Sequence, residues 1–151
     1  MTTRSTIALE FADGTVQQVY CHWDGYVSNN GQILLRHYSD PFKLQRLIDL
    51  GAMSSLGREI GEKHDFSRLD AQMSADEYER LYGNMTTFYA RDRGEDLVKH
   101  TYKDYADYKA NAQSQEYNYI LRTDGQWYVE FYGEFDGLLE QAIMDEQDWP
   151  N

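Results

Sequence analysis

Apolar and polar residues alternate along two stretches of the chain, and each stretch turns on an Asp-Gly pair. Ile7, Leu9 and Phe11 precede Asp13-Gly14, and Val19, Cys21 and Trp23 follow it. Farther along, Tyr117, Tyr119 and Leu121 precede Asp124-Gly125, and Trp127, Val129 and Phe131 follow. A period of two marks half-buried strands, and Asp-Gly between such runs is a hairpin signal. Loop length decides the faces. A two-residue loop pairs Phe11 with Val16 and sets the two apolar groups against each other. A three-residue loop, Ala12-Asp13-Gly14 with Gly14 left-handed in a bulge, pairs Phe11 with Thr15 and gathers both groups on one face. The same loop at Thr123-Asp124-Gly125 gathers the second set, so one turn type is expected at both places. In this register Cys21 and Trp23 point inward, while Tyr20, His22 and Asp24 point outward.

Helical signals lie between and after the hairpins. Asp40-Pro41 has the form of an N-cap with proline at the first helical position. Phe42, Leu44, Leu47, Ile48 and Leu50 follow it, and Gly51 closes the helix. GQILLRHY, ending at Tyr38, predicts a shorter helix. Ser74-Ala75-Asp76-Glu77 fits a capping box, with Tyr78 and Leu81 apolar and Gly83 as the stop. Thr86 to Ala90 reads as a strand, and Thr101 to Asp104 as the start of a helix carrying Tyr105, Tyr108 and Ala112. In the tail, Phe135, Leu138, Leu139, Ala142 and Ile143 form one helical stripe, interrupted by Gly137. Met53 to Phe66, rich in Gly and Ser, is expected to be irregular. The sum is a single α+β domain over residues 1–151. Its expected core is a mostly antiparallel sheet of about five strands, two hairpins plus one strand, with helices packed largely on one face.

Composition narrows the function more than the fold. At 41% hydrophobic and 15% aromatic residues, the chain is too rich in core formers to be disordered. Thirteen tyrosines suit half-buried sheet surfaces and contact surfaces, including those of a homodimer. A net charge of −12 argues against direct nucleic-acid binding and against anionic membranes, and favours a basic partner. The lone cysteine, Cys21, excludes an internal disulfide and a cysteine-based zinc cluster. No apolar run has transmembrane length and the first residues lack a signal-peptide core, so a cytoplasmic location is expected.

Three groups of residues carry candidate chemistry. In YCHWDGY, Tyr20 to Tyr26, strand neighbours Cys21 and His22 face opposite ways and cannot form a nucleophile pair. His22 and Asp24 share a face, where a carboxylate can orient an imidazole for acid–base or metal chemistry. A metal-dependent hydrolase or nuclease would need a further ligand from His37, His64 or His100, and the spacing brings none of them near. The segment from Phe88 to Lys103 holds Tyr89, Arg91, Arg93 and His100, the arginine forks and aromatic faces that suit a phosphorylated ligand. Asp92, Glu95 and Asp96 are interleaved with them and favour local neutralisation. After Arg122 there is no Lys or Arg, and Glu130, Glu134, Asp136, Glu140, Asp145, Glu146 and Asp148 form a candidate acidic contact surface. No phosphate loop, nucleophile elbow or H-E-x-x-H occurs, so no cofactor or metal is expected.

The runs RSTIALEFADGTVQQVYCHWDGY, SSLGREIGEKHDF and FYARDRGE, with a late EYNYIL and GQWYV, resemble a family of small, largely uncharacterised phage and prophage proteins. YCHWDGY is the most specific part of that resemblance, and Val27 stands where members often carry proline. The resemblance transfers no catalytic residue. It implies a phage genetic context, the cytoplasm of a host cell, and a small acidic protein that binds and inhibits a host protein, such as a defence protein; the C-terminal acidity adds the expectation of a DNA mimic.

Overall fold

A computed structural model describes residues 2–63, 74, 76, 77, 80 and 83–147. In chain order the strands are β1 (Ser5–Glu10), β2 (Val16–Cys21), β3 (Met53–Ser55), β4 (Thr87–Phe88), β5 (His100–Tyr102), β6 (Tyr117–Leu121), β7 (Trp127–Phe131) and β8 (Phe135–Leu138). The α-helices are α1 (Gln32–His37), α2 (Pro41–Asp49), α3 (Tyr89–Arg93), α4 (Tyr105–Asn111) and α5 (Leu139–Gln147), and a π-helical turn at Val27–Gly31 leads into α1.

Both hairpins have the bulged three-residue turn. Ile7 stands opposite Val19, and the Phe11 N–H donates to the Thr15 carbonyl at 2.8 Å. Tyr119 stands opposite Val129, and Arg122 N–H reaches the Gln126 carbonyl at 3.1 Å. Gly14 (φ +94°) and Gly125 (φ +79°) occupy the left-handed position that a side chain would strain.

The sheet is larger than expected, and mixed. Its order is β4-β3-β2-β1-β6-β7-β8, with β5 also paired to β2. The two hairpins join through a parallel β1–β6 pair that sets Ile7 beside Tyr119. The outer edge of β2 is divided between two short strands. Cys21 pairs in parallel with Met53 of β3, and Val16 to Gln18 pair antiparallel with β5. The expectation of about five mostly antiparallel strands is corrected, among the described residues, to a mixed sheet of eight strands with two parallel junctions. Strands of two to four residues carry too little alternation to be read, and each borrows its stability from a longer neighbour.

Four local expectations change for the same reason. Met53–Ser55 is a strand rather than irregular. The strand expected over Thr86 to Ala90 is only Thr87–Phe88, because the Asp92 carboxylate takes the Phe88 N–H at 2.7 Å and starts α3. His100–Tyr102 pairs with β2 before α4 begins, and Asp104 caps that helix by accepting from Asp107 N–H at 2.7 Å. Phe135–Leu138 pairs with β7, so α5 starts only at Leu139, and Gly137 lies in the strand. The α2 signals hold: Asp40 Oδ1 accepts from Phe42 N–H at 3.0 Å, and Gly51 (φ +85°) ends the turn. Ser74 Oγ accepts from Glu77 N–H at 3.1 Å, as a capping box requires, whereas Tyr78, Leu81 and His64 lie outside the described residues.

Helices α1, α2 and α5 cover one face of the sheet. Leu34, Leu44, Leu47, Ile48, Leu139 and Ile143 pack there against Ile7, Leu9, Val19, Tyr119 and Val129. Helix α4 covers part of the other face, where Tyr102 and Tyr108 rest on Ala8, Val16 and Ile120. Among the described residues, no helix is long and apolar enough to cross a membrane.

Candidate functional site

The YCHWDGY segment begins as β2 and ends as a turn. Cys21 is fully buried; its Sγ lies 3.5 Å from Asn30 Nδ2, and burial pushes the thiol up to about 11, leaving essentially no thiolate at neutral pH. His22 N–H donates to the Met53 carbonyl at 3.1 Å and Trp23 N–H to the Ser54 carbonyl at 3.0 Å, two consecutive donors turned to β3 where a strand turns only every second one. The imidazole of His22 lies with Tyr20, whose Oη is 2.7 Å from Nδ1. Trp23, expected inward, is 43% exposed, because the chain leaves the sheet there and alternation ceases. Its indole stands edge-on to the His22 ring, 4.8 Å between centroids at 85°. Asp24 adopts a left-handed φ of +57°, and its backbone carbonyl takes Asn30 N–H at 3.3 Å. The hydrogen bond given to the His22 ring among the described residues comes from Tyr20.

Arg91 and Arg93, two residues apart, have opposite fates. Arg91 folds inward onto the Ile60, Gly61 and Thr86 carbonyls at 2.9–3.0 Å and pairs with the buried Asp92 carboxylate at 3.0 Å. It is a structural clamp. Arg93 is exposed, with its guanidinium 5.5 Å from the Tyr89 ring centroid and one N–H 3.4 Å from Ser54 Oγ. It forms no ion pair among the described residues. Burial raises the Tyr89 pKa and the neighbouring Tyr20 raises it further, whereas Arg93 and a Ser54 hydrogen bond pull it down. Tyr89 thus links Arg93 and Ser54 to Tyr20 and His22.

Of the six candidates for ligand binding, the structure gathers Tyr89, Arg93 and His22. Arg91 is consumed by the fold, Asp24 lies exposed in the turn past β2, and His100 sits opposite Gln18 on β5. Ser54 and Tyr20 complete the cluster. Tyr20 was visible by alternation with His22. Ser54 carried no signal, because its three-residue strand reads as a loop.

The acidic residues divide. Glu130, Glu134 and Asp136 line a polar groove of about 480 Å³ between α4 and the β7–β8 hairpin, where Lys109 is the only cation in the wall among the described residues. Lys109 is committed to Asp136 at 2.8 Å. Glu130 is held by Asn118 Nδ2 at 2.9 Å and by Gly133 N–H at 3.3 Å. The β6–β7 pairing then brings in Glu116, which shares a second hollow with Glu130 and lies 3.5 Å from Tyr132 Oη. Tyr117 records the field there: burial, then Tyr132, Glu146 and Glu116, push its hydroxyl up to about 12. Asp136, Glu134, Glu130, Glu116 and Glu146 thus form a band around one end of the sheet. Sequence reading missed Glu116 because it precedes Arg122. Glu140 and Asp145 lie on α5 outside this groove, Asp145 bonded to Gln141 at 2.8 Å, and Asp148 falls outside the described residues.

Among the described residues, no three His, Cys, Asp or Glu side chains converge as a metal site. Neither protein-family models, nor curated proteins, nor solved structures yield a match to this chain.

Proposed function

We propose that this protein is a phage-encoded, non-enzymatic binder that applies its acidic band to a basic surface of a host protein and blocks it. The observation that carries this reading is the groove itself, with three carboxylates, one already-paired ammonium, and Glu116 alongside. Carboxylates set along a groove present negative charge much as a phosphate backbone does, and a net charge of −12 steers a basic partner toward them. A nuclease or other defence protein with a groove for nucleic acid offers the complementary surface. A metal-hydrolase role has less support, since Tyr20 occupies Nδ1 of His22.

The test is capture from host lysate with a paired control. Wild type and a Glu140→Gln/Asp145→Asn variant should retain the same protein at low salt and release it at high salt. Glu116→Gln/Glu130→Gln/Glu134→Gln/Asp136→Asn should retain about tenfold less or nothing. No salt-sensitive capture by wild type, or equal capture by both variants, refutes the reading.

A further inference from the structure

The cluster at the far end of β2 is independent of the acidic band and has a different chemistry. We propose that Arg93, His22 and the hydroxyls around them bind the phosphate of a nucleoside monophosphate, with Trp23 carrying the base.

Arg93 supplies the charge. A guanidinium has five N–H donors in a planar fork, and the structure occupies one of them, with Ser54 Oγ at 3.4 Å. The Tyr89 ring beneath it, 5.5 Å away, supports the fork on one side. Ser54 is only 4% exposed, so the group that fixes the edge of the fork is itself set in the fold. Arg91 shows what a spent arginine looks like in the same short helix, with its donors taken by three carbonyls and a carboxylate.

His22 supplies the second donor. The Tyr20 hydroxyl, 2.7 Å from Nδ1, fixes the half-buried ring and leaves Nε2 as its second polar atom. When that hydroxyl donates to Nδ1, the ring proton resides on Nε2 and points at an incoming anion. The two donors come from different elements, Arg93 from α3 and His22 from the end of β2, and meet through Ser54 of β3. His22 and Trp23 are tied to Met53 and Ser54 by hydrogen bonds of 3.1 and 3.0 Å, and Ser54 in turn touches Arg93.

Trp23 supplies the aromatic surface. At 43% exposure, with its ring at 85° to that of His22 and 4.8 Å away, it is accessible beside the proposed phosphate position. Stacking on such a face holds a nucleobase without reading its identity. The surroundings limit the charge of the ligand. Glu95 and Asp96 line a hollow of about 460 Å³ against Tyr89, and the whole chain carries −12. Each further phosphate meets that repulsion, so a monophosphate is favoured over a triphosphate.

Titration of the full chain with AMP, ATP, ribose 5-phosphate and adenosine, followed by NMR of the Arg93 Nε–H and Trp23 Nε1–H signals, tests the proposal. AMP should move both signals and bind more tightly than ATP. Ribose 5-phosphate should move Arg93 and bind more weakly, and adenosine should be weakest. Arg93→Gln should lower AMP affinity about tenfold. Trp23→Ala should erase the advantage of AMP over ribose 5-phosphate. Both residues are exposed, so unchanged thermal unfolding should show that the fold is intact. The proposal is overturned if millimolar AMP leaves Arg93 Nε–H unmoved, if Arg93→Gln binds AMP as wild type does, or if adenosine matches AMP.

Discussion

Ile7, Leu9, Val19 and Cys21 turn to one side of β1 and β2, while Thr6, Ala8, Gln18 and Tyr20 turn to the other. On the first side, three helices press aliphatic side chains against the sheet. On the second, the seven residues of α4 cover an area too small to seal the strands with hydrocarbon alone. Paired polar groups complete the closure. Thr6 Oγ1 donates to Asn118 Oδ1 at 2.9 Å, and Asn118 Nδ2 donates to Glu130. Tyr102 Oη donates to Gln18 Oε1 at 2.9 Å, and Gln18 Nε2 reaches the Gln113 carbonyl at 2.9 Å. Asn118 and Gln18 are 8% and 1% exposed, so each unmet bond there would carry a desolvation penalty. The same strands are thus stabilised by volume on one face and by matched directions on the other. Only the second face leads outward, through Glu130, to the acidic groove.

Substitutions separate the two regimes. Leu47→Ala, at a fully buried position of α2, should cost about 2–5 kcal/mol in urea unfolding, through lost transfer energy and a residual cavity. Asn118→Ala should cost less, about 1–3 kcal/mol, as the Thr6 hydroxyl and Gln115 N–H lose their acceptor. If it costs as much as Leu47→Ala, the polar face is not the cheaper closure. The smallest effect is expected at Glu10, on the polar face with Arg122 and only 8% exposed at its side chain. Burial alone would raise its pKa, but hydrogen bonds from Arg122 and the Thr123 N–H outweigh it and hold the carboxyl below the ordinary value. A depressed folded pKa gives stability that is present above the unfolded value and lost as pH falls through the folded one. Glu10→Gln should therefore cost less than about 1 kcal/mol at pH 7, and its unfolding curve should converge with wild type in acid. A difference that persists below the ordinary glutamate range would assign the effect to packing.

The bulged turns, the burial of Cys21 and the Asp40 cap were legible because each rests on a few consecutive residues. Trp23 was misplaced by extending alternation one step past the strand, where Gly25 N–H instead meets the Thr3 carbonyl at 2.8 Å. The parallel junctions are tertiary, and no local pattern announces that Ser5–Glu10 will lie beside Tyr117–Leu121. The candidate sites followed the same divide. Glu130, Glu134 and Asp136 were visible as acids, and their grouping with Glu116 was not. Arg91 and Arg93 were indistinguishable in sequence, since only the fold spends one and leaves the other exposed.

The β1–β6 junction also sets a timetable for synthesis. Thr6 and Asn118, hydrogen-bonded across it, are 112 residues apart. At translation rates of roughly 5–20 residues per second, β1 waits on the order of 5–20 s for its neighbour to be made. Through that interval the apolar face of Ile7, Leu9 and Val19 lacks the neighbouring strand that later makes it the middle of a sheet.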